Sequence, residues 1–127
     1  MNTLSQFQVE PRHEHWIAAK HVLRYSHGTI NYGLRYTASS DIQLYGFTDS
    51  DWTGSAEDRK STSGMCFSLG SAMISWGNRK QKSVALSIAE AEYMATCEAC
   101  TEAIWLRKLI SDLFDHIPES TIIYCDN

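Results

Sequence analysis

The sequence predicts an α/β protein: a mixed sheet of three antiparallel strands plus one parallel strand, with a long helix across it and a further helix at the N-terminus. Three observations lead there. Short β-branched and aromatic runs separated by turn formers fill residues 33–86. From Ser87 to Phe114 the composition switches to Ala, Glu and Leu, with no proline or glycine. After Pro118 a β-branched run, "TIIYCDN", follows.

Each element has a local cause. "RHEHWIAAKHVLRYSHG" has helical spacing, with Pro11 at its start and Gly28 at its end as start and stop signals. Two β-rich runs, Gly33 to Tyr36 and Ile42 to Thr48, flank the turn-forming "TASSD" and read as a hairpin. The polar loop "DWTGSAEDRKSTS" leads to a third run, "GMCFSLG", and Gly70 to Ala72 turns into a fourth, "MISWGNRKQKSVAL". Ser87 followed by Glu90 is a capping-box signature, so a long helix starts there, with Thr101 as a candidate break. Pro118 is unsuited to continuing it. The organisation is therefore an N-terminal helical segment over residues 1–32 and one domain over 33–127.

Composition bounds the function. At 127 residues and 43% hydrophobic, the chain has material for one core. No run of about 18 apolar residues is present, and the first residues lack the basic start and apolar stretch of a signal peptide. The expected address is intracellular, cytoplasm and nucleus not being distinguished, with no membrane partner. Cys66, Cys97, Cys100 and Cys125 are accordingly expected as reduced thiols. The formal charge of −4 argues against a globally basic nucleic-acid binder, yet Arg79, Lys80 and Lys82 form one local basic knot, and Arg59 with Lys60 another.

The chemistry-bearing residues are three separated carboxylates. Asp49 and Asp126 each sit at the C-terminal end of an expected strand, and Glu92 lies in the first turns of the long helix. Neighbouring strands would bring the two aspartates to roughly 5 Å, with Glu92 descending from the helix. Such a cluster needs a cation. Mg²⁺ prefers carboxylate and water oxygens, and two such ions about 4 Å apart activate water in phosphodiester hydrolysis. Glu90, two residues from Glu92, faces another side of the helix and is explained by the cap. Asp51 reads as a turn former or as a residue behind the ligands. "CEAC" lies mid-helix without a second pair at zinc spacing, so Cys97 and Cys100 read as core thiols. His13, His15, His21 and His27 read as a polar helix face, and Trp52, Trp76 and Trp105 as core or interface anchors.

"GFTDSDWTG", "DRKSTSG", "ISWGNRKQKSVALSIAEAEYMA", "WLRKL" and "IIYCDN" together resemble the ribonuclease H domain of copia-type retrotransposon Pol polyproteins. "EHWIAAKHVLRYSHGTINYGLRY" resembles the segment that joins the reverse transcriptase to that domain. The resemblance implies a ribonuclease H-like sheet flanked by helices and cleavage of the RNA strand in RNA–DNA hybrids by two-metal catalysis with Mg²⁺ or Mn²⁺. It assigns Asp49 of "FTD", Glu92 of "AEY" and Asp126 of "YCD" as catalytic and metal-binding acids. The family's fourth catalytic position, fifth strand and last helix have no counterpart up to Asn127, which implies weak activity and an exposed sheet edge open to self-association. Arg79, Lys80 and Lys82 are then either a solvated turn or contacts to hybrid phosphates. Reverse transcriptase and other Pol segments are the implied protein partners. The competing expectation is a catalytically inactive retrotransposon remnant acting as a protein-interaction module.

Overall fold

The computed structural model describes residues 2–5, 7–37, 43–55, 58–115 and 120–126. The chain divides into two compact units, Met1–Leu34 and Arg35–Asn127. The first unit holds α1 (Asn2–Ser5) and α2 (His13–Gly28). Pro11 precedes α2, and the Arg12 backbone N–H donates to His15 Nδ1 at 3.0 Å, so one donor at the helix start is satisfied from within the first turn. At the other end the Thr29 backbone N–H and hydroxyl both donate to the Tyr25 carbonyl, at 3.0 and 2.9 Å. No α2 residue is buried. His15 stacks on Phe7 with ring centroids 4.1 Å apart, while His13, His21 and His27 are exposed.

The second unit is a four-stranded sheet, β1 (Leu44–Asp51), β2 (Thr62–Leu69), β3 (Ala72–Lys80) and β4 (Ile122–Cys125), crossed by α3 (Ile88–Phe114). The order is β3-β2-β1-β4; the first three strands are antiparallel neighbours and β4 runs parallel to β1. This is the α/β mixed sheet expected, and it is consistent with a ribonuclease H-like fold.

Three local expectations are corrected. Residues 33–37 form no strand, because β1 is already paired on both sides by β2 and β4. Instead the Tyr36 hydroxyl donates to the Met73 carbonyl at 2.7 Å and the Thr37 N–H to Ser71 Oγ at 3.1 Å. The residues between, 38–42, lie outside the described residues. β3 ends at Lys80 rather than continuing to Leu86: the Gln81 N–H donates to the carbonyl of Ser61, its register partner, at 2.8 Å as the last bond of the β2–β3 ladder, and the chain bends at residues 82–83. α3 continues through Thr101, whose hydroxyl donates to the Cys97 carbonyl at 3.0 Å and so bonds back onto its own helix.

α3 begins as expected. Ser87 has extended backbone angles and its side chain accepts from the Glu90 N–H at 3.2 Å, while Glu90 Oε2 accepts from the Leu86 N–H at 2.7 Å. The helix buries Ala91, Glu92, Ala95, Ala99, Ala103, Leu106 and Ile110, one stripe at helical spacing. Ala99, Ala103, Leu106 and Ile110 meet Leu44 and Phe67 of the sheet, with Met65, Leu69, Ile74 and Ile123 packed around them.

Phe67 is fully buried and its ring lies over Gly46, its register partner on β1. A β-carbon at Gly46 would stand 2.5 Å from Phe67 Cε1, inside contact distance. Overpacking of this kind costs about 1–3 kcal/mol. Gly46→Ala is therefore expected to lower stability by that amount in urea unfolding, and Phe67→Leu in the Gly46→Ala background to recover part of it. Additive losses in the double variant would show that the ring and the glycine do not share the space.

Candidate functional site

β1 divides its side chains between two faces, as a strand must. Leu44, Gly46, Thr48 and Ser50 turn toward α3, and Phe47, Asp49 and Asp51 to the other side; the first three of the α3-facing set are buried. The β1–β4 pairing runs Tyr45/Ile122, Gly46/Ile123, Phe47/Tyr124 and Thr48/Cys125. Asp49 and Asp126 are the next residues along this parallel seam. Both line an open cavity of about 400 Å³ on the face away from α3, together with Phe47 and Tyr124, whose rings stack at 5.3 Å.

Glu92 is held on the α3 face. It is 7% exposed; Ser50 Oγ donates to its Oε1 at 2.8 Å, and Cys125 Sγ stands 3.7 Å from its Oε2. Its two partners are the residues flanking Asp49 and Asp126. The structure thus brings the two aspartates into one cavity and seats Glu92 behind the same strand ends. Among the described residues, no group of three His, Cys, Asp or Glu side chains is arranged to hold a metal ion. The cavity aspartates fit a water-rich Mg²⁺, which is commonly held by one or two carboxylates; a three-carboxylate set including Glu92 does not fit this arrangement.

No family model matches the chain. It is 38% identical over all 127 residues to the retrovirus-related Pol polyprotein from transposon RE2 of Arabidopsis thaliana, and 41% identical over all 127 to that from transposon TNT 1-94 of Nicotiana tabacum. It spans 9% of the length of each. It is also 48% identical, over 84% of its own length and 75% of the relative's, to secreted RxLR effector protein 161 of Plasmopara viticola. Over its whole length the chain is therefore similar to a segment of retrotransposon Pol polyproteins. This Pol-derived chain shares sequence with a small part of polyproteins many times longer.

Several residues singled out in the sequence of the Pol-derived chain take other places. Asp51 turns its carboxylate over Gly54, on the spot a β-carbon there would occupy, and so serves the turn after β1. Cys97 and Cys100 are exposed rather than buried, because the alanines of α3 take the covered stripe. Trp76 and Trp105 are more than half exposed; Trp52 is 40% exposed and donates from Nε1 to the Ala85 carbonyl at 3.3 Å. Two residues the sequence reading passed over lie beside Glu92, Gln81 buried and Ser50 partly buried. Gln81 donates from Nε2 to Ser63 Oγ at 3.0 Å and to the Ala91 carbonyl at 2.9 Å, and Ser50 anchors Glu92 itself. Period-two alternation along "TDSD" was the signal for Ser50; Gln81, between two lysines, offered none.

The basic knot is split. Arg79 and Lys82 are exposed, whereas Lys80 pairs with Asp58 at 2.9 Å across the turn that joins β1 to β2. The Lys80 ammonium, followed by the Ser55 side chain, holds the Asp58 carboxyl well below its ordinary value, at about 2. A depressed carboxyl adds stability above its unfolded pKa and loses it as pH falls through the folded one. The difference in stability between wild type and Lys80→Met is expected at neutral pH and to close between about pH 4 and about pH 2. Because the pair is at the surface the difference is small and shrinks in high salt. Chemical unfolding across that pH range checks it.

Proposed function

We propose that the chain is a ribonuclease H-type element that hydrolyses the RNA strand of RNA–DNA hybrids, with Mg²⁺ or Mn²⁺ held by Asp49 and Asp126. The observation that carries this reading is the parallel β1–β4 seam, which sets two carboxylates from distant parts of the sequence in one open cavity. A bound divalent cation would offset the charge of the scissile phosphate and make a water nucleophilic near neutral pH. The chain's own residues do the rest. Asp49 and Asp126 attract and seat the ion. Glu92, fixed by Ser50 and Cys125, keeps a carboxylate at the helix side of the same strand ends, where it accepts hydrogen bonds from groups drawn to the site. Exposed Arg79 and Lys82 supply cations for hybrid phosphates, and Lys80 stays engaged with Asp58.

A second reading, a non-catalytic Pol-derived interaction module, is favoured by two observations. Glu92 and the two aspartates form no three-residue group able to hold a metal among the described residues, and the sheet face away from α3 leaves Phe47, Trp76 and Tyr124 between 42% and 70% exposed. Reverse transcriptase or another Pol segment is the partner proposed for that module.

Hybrid cleavage in Mg²⁺ separates the two. Under the nuclease reading the chain cleaves a labelled hybrid, and Asp49→Asn or Asp126→Asn lowers the rate by about a hundredfold or more, the loss typical when one essential charge is removed. Mg²⁺ at about ten times its Kd should also add about 1.4 kcal/mol of stability, a Tm rise of several degrees that Asp49→Asn abolishes. Absence of cleavage with no Mg²⁺-dependent Tm rise would leave the interaction module.

A further inference from the structure

We infer that Gln81 is a positioning residue that fixes the carboxylate of Glu92 by tying β2 to the first turns of α3, an inference that rests on the nuclease reading for its effect on catalysis. Gln81 is 1% exposed. Its Nε2 donates to the Ala91 carbonyl at 2.9 Å, and that carbonyl belongs to the peptide bond from which Glu92 projects. The same Nε2 donates to Ser63 Oγ at 3.0 Å. Ser63 is the register partner of Ser50, and Ser50 holds Glu92 Oε1 at 2.8 Å. The contacts close a ring: Gln81 to Ser63 on β2, across the ladder to Ser50 on β1, up to the Glu92 side chain, and back through its peptide to Gln81.

The chemistry of the amide supports this role. Only the NH₂ end can face a carbonyl, so the Ala91 oxygen sets the orientation of the side chain. The other end, Oε1, is buried with no partner among the described residues. A buried acceptor left in that state is destabilising, and an apolar side chain of the same length would avoid it. What an apolar replacement cannot do is donate twice. The Gln81 backbone is itself fixed, its N–H bonded to the carbonyl of fully buried Ser61 at 2.8 Å, so the tie is anchored at its sheet end.

Gln81→Met is compared with Ile110→Val, which loosens the far end of the same helix, and with Ser63→Ala, which removes one end of the tie and stands in if Gln81→Met does not fold. Two metal-free readouts apply: hydrogen exchange of α3 amides, and the ¹³C signal of the Glu92 carboxyl. In Gln81→Met the Ala95 and Thr96 amides are expected to exchange at least tenfold faster, relative to Leu109 and Ile110, than in wild type, and the Glu92 signal to move or broaden. In Ile110→Val neither change appears. With Mg²⁺ and a labelled hybrid, Gln81→Met is expected to cleave at least tenfold more slowly while Ile110→Val stays within about twofold of wild type. Uniformly faster exchange along α3 with an unmoved Glu92 signal would overturn the inference, as would unchanged cleavage despite a moved signal. A wild-type chain that cleaves nothing removes the nuclease reading instead, and the Glu92 signal alone then decides whether Gln81 positions it.

Discussion

The close seating of α3 on the sheet governs the rest of the structure. Ala91, Ala95, Ala99 and Ala103 recur every four residues on the covered stripe, so the helix meets the strands with methyl groups over much of its length. Larger side chains, Leu106 and Ile110, fill the space toward the other end with Leu44 and Phe67. The interior is consequently graded. Its apolar end lies where β1 starts, and its polar end, with Thr48, Ser61, Ser63, Gln81 and Glu92 all buried, lies where β1 finishes and α3 begins. Short polar side chains reach one another there because the helix backbone is near. Each buried polar group then depends on its partners, since an unpaired one is costly.

Much of this was legible in the sequence. Alternating apolar runs marked β1 and β2, the "IIYC" run marked β4, and Ser87 with Glu90 marked the start of α3, because these signals are local and their partners lie within a few residues. The same cap separated Glu90 from Glu92, and the structure seats them accordingly: Glu90 on the Leu86 N–H, Glu92 on Ser50. What failed was non-local. Gly33–Tyr36 has strand composition but no free edge of β1 to join. "CEAC" has core composition, but which helix face is covered depends on the sheet, and the alanines win it. Gln81 looks like one more polar residue in a basic turn; its burial follows from its place opposite Ser61 at the end of the β2–β3 ladder, where its side chain meets Ser63 and the Ala91 carbonyl of α3, a tertiary event.

The two sheet faces also differ in chemistry. On the side away from α3, Tyr124, Phe47, Cys66 and Trp76 are successive register partners across all four strands, forming a lateral band beside the aspartate pair. Cys66 is half-buried within it and the aromatics are largely open. An acidic pair bordered by aromatic surface is a setting in which charge and shape are both local, which is why a net charge of −4 says little about what the cavity attracts.

The β1–β4 seam, only four residue pairs long, has a consequence in terms of parity. A strand slipped by one residue turns every side chain to the opposite face. Were β4 to slide by one against β1, Asp126 would swing in beside Glu92, burying two carboxylates together, and Cys125 would emerge beside Asp49. A slide by two would restore the faces and change only the offset along the strand. Odd and even shifts are thus unequal events: length changes before Ile122 that reach the seam act on a two-letter code, in which one parity keeps the aspartates on one face and the other exchanges an acid for a thiol.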